Sequence, residues 1–204
     1  TRASTPERLR LLGSACKRLA WVQEGQPRTE AMLNMAAYYR TAWDDSKGSD
    51  AYALTNWAVA CLLLEHIDGQ YRNGDWHPAL TELIQRQTGA AQQLHENKPS
   101  FWSATALADL QVVQVLMAGH HPTQCDQLAK SAGAQYTAAS ARGASLREMA
   151  SVQEHLDFLI DLTSPTLTFI AGPAEGALSD TAGVTVEWLG SDNASPVDSL
   201  TYSW

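Results

Sequence analysis

Side chains able to ligate a metal or move protons are thinly spread along the 204 residues. His120 and His121, with Cys125 close behind at a predicted helix start, imitate part of a zinc site, while His66 and His77 flank a predicted turn. Structural zinc needs four convergent ligands, and no second Cys or His pair stands at the right spacing, so the histidine pair reads as a solvated connector. A hydrolytic centre would need a nucleophile beside a histidine and a carboxylate. Ser103, Asp109 and Cys125 are present, but they fall in helical patterns with no strained elbow or oxyanion loop. Gly172-Pro173 and the other glycines form no phosphate-cradling array and read as turn residues. No catalytic residue, cofactor site or metal site is therefore assigned. The competing reading is a metal-dependent or hydrolytic fragment with a site built from His120, His121 and Cys125.

Helical spacing dominates the elements that would position these groups. Thr5 caps a first helix, Pro6 takes its first position, and Leu9, Leu12, Cys16 and Leu19 recur on one face. The helix should run to about Glu24, where Gly25 and Pro27 stop it. A second carries Met32, Met35, Ala36, Tyr39 and Trp43 and ends near Ser46-Lys47-Gly48; a third follows Ser49-Asp50 with Tyr52, Trp57, Cys61 and Leu64. A polar fourth is expected over Pro78 to Leu94. Ser100 caps a fifth through Leu107, Leu110, Val113 and Met117, and Thr123 caps a sixth through Leu128, Ala132 and Tyr136. The seventh opens with a capping box, Ser145-Leu146-Arg147-Glu148, and turns Met149, Val152, Leu156 and Leu159 to the core.

After Thr163-Ser164-Pro165 the period changes to two, in Leu167 and Phe169, then Val184, Val186 and Trp188, then Leu200, Tyr202 and Trp204. The expected organisation is a mainly α chain: antiparallel helical hairpins over 1–162, as a solenoid or a bundle, and a β segment over 163–204.

Composition limits the partners. All 14 Lys and Arg lie at or before Arg147, facing 13 Asp and Glu, whereas Glu148 onward holds nine carboxylates and no Lys or Arg. Such a tail repels phosphate backbones, which argues against nucleic acid. Cys16, Cys61 and Cys125 are far apart and odd in number, which fits reduced thiols and a cytoplasmic setting better than a disulfide framework. The polar start lacks an apolar targeting core, and the run near Ala58 to Leu64 is too short to span a bilayer, so no membrane partner is expected. Of the seven tryptophans, Trp43, Trp57 and Trp188 fall on apolar faces, which favours core packing over ligand stacking.

Leu12-Gly13 followed by Cys16, then Met35, Tyr39 and Ala42, resembles the tetratricopeptide pattern of Leu-Gly and small-xxx-aromatic-xx-Ala, with Gly13 allowing close helix approach and Tyr39 filling the space beyond. The Gln23 to Thr29 turn reads as longer than that pattern allows. Thr5 to Arg18, Ala36 to Arg40, Tyr52 to Trp57 and Phe101 to Ser103 together resemble the helical TRAFs-binding-type region of bacterial multidomain proteins. That resemblance implies a scaffolding or sensing role in a larger polypeptide and transfers no catalytic residue. The tail from Pro165 to Trp204 resembles the first strands of a bacterial immunoglobulin-like or fibronectin-like module, and with about three strands of the seven such a sandwich needs, the natural chain is expected to continue. A cell-surface adhesion part is the alternative that this tail suggests.

Stacked hairpins make a curved surface whose inner wall is built from the first helix of each pair. On the opening helix, Arg10, Ser14, Lys17 and Arg18 point away from the apolar seam. They are the candidate partner-binding face, expected to hold an acidic or C-terminal segment of a protein or peptide by charge-assisted bonds. A plain solvated helix face is the competing reading.

Overall fold

A computed structural model describes residues 5–67, 76–118, 122–163, 166–171 and 187–191. Contacts divide the chain into two units, Thr1–Phe158 and Leu159–Trp204.

The first unit is helical: α1 (Pro6–Val22), α2 (Gly25–Asp45), α3 (Ala51–Ile67), α4 (Trp76–Asn97), α5 (Phe101–Ala118), α6 (Pro122–Ser140) and α7 (Leu146–Thr163), the last crossing the division. Thr5 caps α1 by accepting from the Arg8 amide at 3.4 Å, with Pro6 at the first position, where a missing N–H costs nothing. Asp50 does the same for α3, its carboxylate accepting from the Ala53 amide at 3.1 Å. The α7 capping box closes as its sequence implies: Ser145 N donates to Glu148 Oε2 at 2.8 Å and Glu148 N to Ser145 Oγ at 3.3 Å.

The first turn corrects the sequence reading. Only Gln23 and Glu24 separate α1 from α2, because Gly25 and Pro27 begin the second helix and do not merely stop the first. Gly25 reverses the chain at φ +58°, which a side chain would disfavour, and Pro27 sits in the first turn, whose amides need no helical partner. The connection is therefore as short as a tetratricopeptide hairpin requires. α4 also runs further than Pro78 to Leu94, from Trp76 to Asn97.

α1 packs on α2, α2 on α3, and α5 on α6, while α4 lies against α5 and α3. Tyr39, Met32 and Met35 of α2 are fully buried, as are Leu54, Val59, Leu107, Leu110 and Val113 of α3 and α5. Tyr39 lies flat on the backbone of Gly13: a Cβ there would stand 2.7 Å from its Cε2. The apolar face of α1 is narrower than its spacing implies. Leu9, Gly13 and Ala20 are buried, whereas Leu12 and Leu19 are about half exposed. On α7, Leu159 is buried as its spacing implies and Val152 and Leu156 are half-buried, whereas Met149 is exposed and Phe158, outside the predicted face, is fully buried.

α5 is long and apolar enough, by length and composition, to cross a membrane, which the sequence reading missed by attending to Ala58–Leu64. In this fold it is the helix on which α6, α4 and α3 pack.

In the second unit β1 (Thr166–Ala171) and β2 (Glu187–Ser191) pair antiparallel, with Thr166 opposite Ser191 and Phe169 opposite Trp188. The further alternating residues Val184, Val186, Leu200, Tyr202 and Trp204 lie outside the described residues.

Candidate functional site

The first helix of each pair and α7 converge on one cavity of about 280 Å³ within the helical unit. From α1 it takes Ser14, Lys17 and Arg18; from α3, Tyr52, Thr55 and Asn56. α5 supplies Trp102, Thr105 and Asp109, and α7 supplies Glu154 and His155. This is the inner wall of a stack of helical hairpins, with α7 brought back to α1 across it. Contacts that close that ring include Arg18 Nε to Glu154 Oε1 at 2.9 Å, Lys17 Nζ to His155 Nδ1 at 2.6 Å, and Trp21 edge-on to Phe158 at 5.9 Å.

Lys17 is the pivot. Its ammonium stands 4.8 Å from the centre of the Phe158 ring, a cation–π contact that partly replaces lost hydration. Burial lowers its pKa to about 8, against the raising fields of Asp109 and Glu154, so it stays mainly protonated at neutral pH. Burial, reinforced by the Lys17 charge, pushes His155 down to about 3. The imidazole is therefore neutral, and because Nδ1 accepts from the ammonium, its hydrogen sits on Nε2.

Asp109 faces the same cavity from α5. Burial raises its pKa to about 6, opposed by Tyr136, whose hydroxyl donates to Oδ1 at 2.5 Å, and by the charge of Lys17. No ion pair joins Lys17 and Asp109 among the described residues, so beside the paired Arg18 and Glu154 the cavity holds a positive and a negative group that are not paired to each other. Beside them lie two buried polar atoms with no hydrogen-bond partner among the described residues, Asn56 Oδ1 and Thr105 Oγ1. The amide nitrogen of Asn56 donates to the Tyr52 carbonyl at 3.0 Å, which orients the orphaned oxygen. Trp102 and Tyr52 are about half exposed and form the cavity's aromatic lip.

Of the candidate partner face, Ser14, Lys17 and Arg18 line the cavity, and Arg10 does not; its guanidinium pairs with Asp50 at 3.3 Å. Sequence reasoning missed Asn56, Trp102, Thr105, Glu154 and His155, and it weighed Asp109 only as a catalytic carboxylate. One signal was available: Asp109 is the only charged residue in the sequence of α5.

The other chemical candidates separate. Ser103 Oγ sits in the α5 cap, taking the Ser100 amide at 2.9 Å and meeting His95 Nδ1 at 2.9 Å. Cys125 Sγ donates to the Val115 carbonyl at 3.8 Å. His120 and His121 lie outside the described residues, and among the described residues no group of three or more His, Cys, Asp or Glu could hold a metal ion. Cys16 and Cys61 are free thiols.

A family model described as Tetratricopeptide Repeats-Sensor matches residues 1–63, which carry α1, α2 and most of α3. With the hairpin geometry, this makes the opening of the chain a tetratricopeptide-like helical region. No curated protein and no solved structure matches the chain.

Proposed function

We propose that the helical unit is a non-catalytic interaction or sensor module that receives an acidic or C-terminal segment of a protein partner on its inner wall, through Arg10, Ser14, Lys17 and Arg18. The observation that carries this reading is the convergence of Ser14, Lys17 and Arg18 with residues of α3, α5 and α7 on one cavity. Repeats of the tetratricopeptide kind use their first helices in this way, and the sensor description of the matching family model agrees with it.

The arginines are already paired within the chain, to Asp50 and Glu154. The exposed Arg18–Glu154 pair contributes only about 0–1 kcal/mol, so an incoming carboxylate can displace Glu154 at small cost. A cytoplasmic setting within a larger bacterial multidomain protein belongs to the same proposal, as do the TRAFs-binding-type resemblance and an immunoglobulin-like tail. These rest on the sequence motifs.

Selection of a random displayed peptide library against the full chain tests the reading. Acid-rich or carboxyl-terminal binders are expected, weakened at least tenfold by Arg10→Glu combined with Arg18→Glu and weakened by added salt. Binders without acidic character, or binding unchanged in a folded double variant, would overturn it.

A further inference from the structure

The floor of the cavity holds more than a groove for a peptide needs. Lys17 and Asp109 bring opposite charges to it without pairing to each other. Lys17 meets the neutral His155 imidazole and Asp109 the Tyr136 hydroxyl, so each buried charge has a neutral partner, and a ligand that answers only one charge leaves the other unanswered. A plain anion would meet Asp109 and a plain cation would meet Lys17. Asn56 Oδ1 asks for a donor, and the Thr105 hydroxyl, which in a helix ordinarily turns to a backbone carbonyl, has no partner among the described residues. The complementary object is small and carries both an N–H donor with positive charge and an acceptor with negative charge.

We propose that this cavity is a receptor for a free α-amino acid, whose ammonium group is held by Asp109 and Asn56 Oδ1 and whose carboxylate is held by Lys17 and the Thr105 hydroxyl. The volume of about 280 Å³ corresponds to about nine water molecules at roughly 30 Å³ each, which suits a ligand of amino-acid size. Trp102 and Tyr52 on the lip would meet the ligand's side chain, favouring an apolar or aromatic one. Ser14 and Arg18 stand beside the carboxylate end on α1. Since α7 is tied to α1 by the Lys17–His155 and Arg18–Glu154 contacts beside this floor, occupancy would be felt where the ring closes. The inference goes beyond the partner reading, and its test needs no partner.

Each of the twenty L-amino acids is titrated into the full chain at pH 7.5 by calorimetry, followed for any binder by its decarboxylated amine and its deaminated acid. Saturable binding of at least one amino acid is expected, with each half-analogue at least tenfold weaker. Asp109→Asn, which keeps an acceptor for Tyr136, should weaken binding at least tenfold. Thr105→Val, nearly isosteric, should weaken it severalfold, with helicity and melting temperature of both variants checked first. No heat with any of the twenty at millimolar concentration would overturn the proposal, as would half-analogues that bind equally well or folded variants that bind like the parent. A negative outcome here leaves the peptide selection untouched, and a failed peptide selection leaves this titration interpretable.

Discussion

Lys17 and His155 meet at 2.6 Å across a sequence separation of 138 residues, the ammonium of α1 donating to the neutral imidazole of α7. Together with Arg18 and Glu154 this contact turns a row of helices into a ring around a cavity, and it gives the fold a defined response to acid.

His155 is held neutral by burial and by Lys17, at about 3 against an ordinary 6.5. Between those values the unfolded chain binds a proton that the folded chain does not, so stability falls as pH drops through this window, by up to about 1.4 kcal/mol for each pH unit. Charged groups facing the imidazole are Lys17 and Arg18 on α1, Asp109 on α5 and Glu154 on α7. His155→Gln keeps an acceptor for Lys17 and removes the titration. Urea unfolding at pH 4 and at pH 7 should show the variant gaining on the parent at the lower pH; an unchanged difference would contradict this assignment.

Asp109 acts with the opposite sign. Its carboxyl titrates near 6 in the folded chain and 3.8 in the unfolded one, so the folded state binds the extra proton and stability declines as pH rises from about 4 to 6. Removing the charge with Asp109→Asn should therefore raise stability relative to the parent progressively over this interval, levelling off above pH 7 at a gain no greater than about 3 kcal/mol. Lost attraction to Lys17 will reduce that figure. A relative gain that shrinks as pH rises would show that Asp109 is not held above its usual range.

The helical elements were legible because their signals are local: the Thr5 cap with Pro6, the Asp50 start of α3, and the Ser145–Glu148 box all lie within four residues of the amides they satisfy. Gly13 and Tyr39 were legible as a motif for the same reason of spacing. Gly25 and Pro27 misled because both end a helix as readily as they open one, and only the backbone shows which side of the turn they occupy. The cavity was not legible. Its walls come from helices more than 130 residues apart, as the Arg18–Glu154 pair illustrates, and single-helix periodicity cannot report that polar side chains from several helices face each other. Leu12 and Leu19 failed in the converse way: a wide apolar stripe on α1 was read as core, yet only the part above Tyr39 and α2 is covered.

The contact between Gly13 and Tyr39 gives a prediction with competing terms. Gly13→Ala improves intrinsic helix propensity by about 1 kcal/mol, but the new methyl would lie 2.7–2.9 Å from three atoms of a fully buried ring. Tyr39 has little room to retreat, since its hydroxyl lies 3.4 Å from that of Tyr52 and the two rings meet edge to face at 5.8 Å. Overpacking of this kind typically costs about 1–3 kcal/mol, which outweighs the propensity gain. The variant should melt below the parent, and Gly13→Ala combined with Tyr39→Leu should recover part of the loss. An Ala variant as stable as the parent would mean that α1 and α2 can separate freely at this point.

Arg18 and Glu154 provide the contrasting case, because their pairing is visible in the charge states yet weak in energy. The guanidinium donates to both carboxylate oxygens, at 2.9 and 3.4 Å, and holds Glu154 below the usual carboxylate range. Their side chains are 64% and 42% exposed, so solvent screens the attraction and the pair contributes under about 1 kcal/mol. Arg18→Ala or Glu154→Ala should accordingly change the unfolding free energy by less than about 1 kcal/mol, and the double variant by little more than either alone. Ring closure then depends chiefly on Phe158, fully buried against Trp21 and Lys17, and Phe158→Ala should cost about 3–5 kcal/mol in the same measurement. If the exposed pair proved the costlier deletion, α7 would be held to α1 by charge and not by packing.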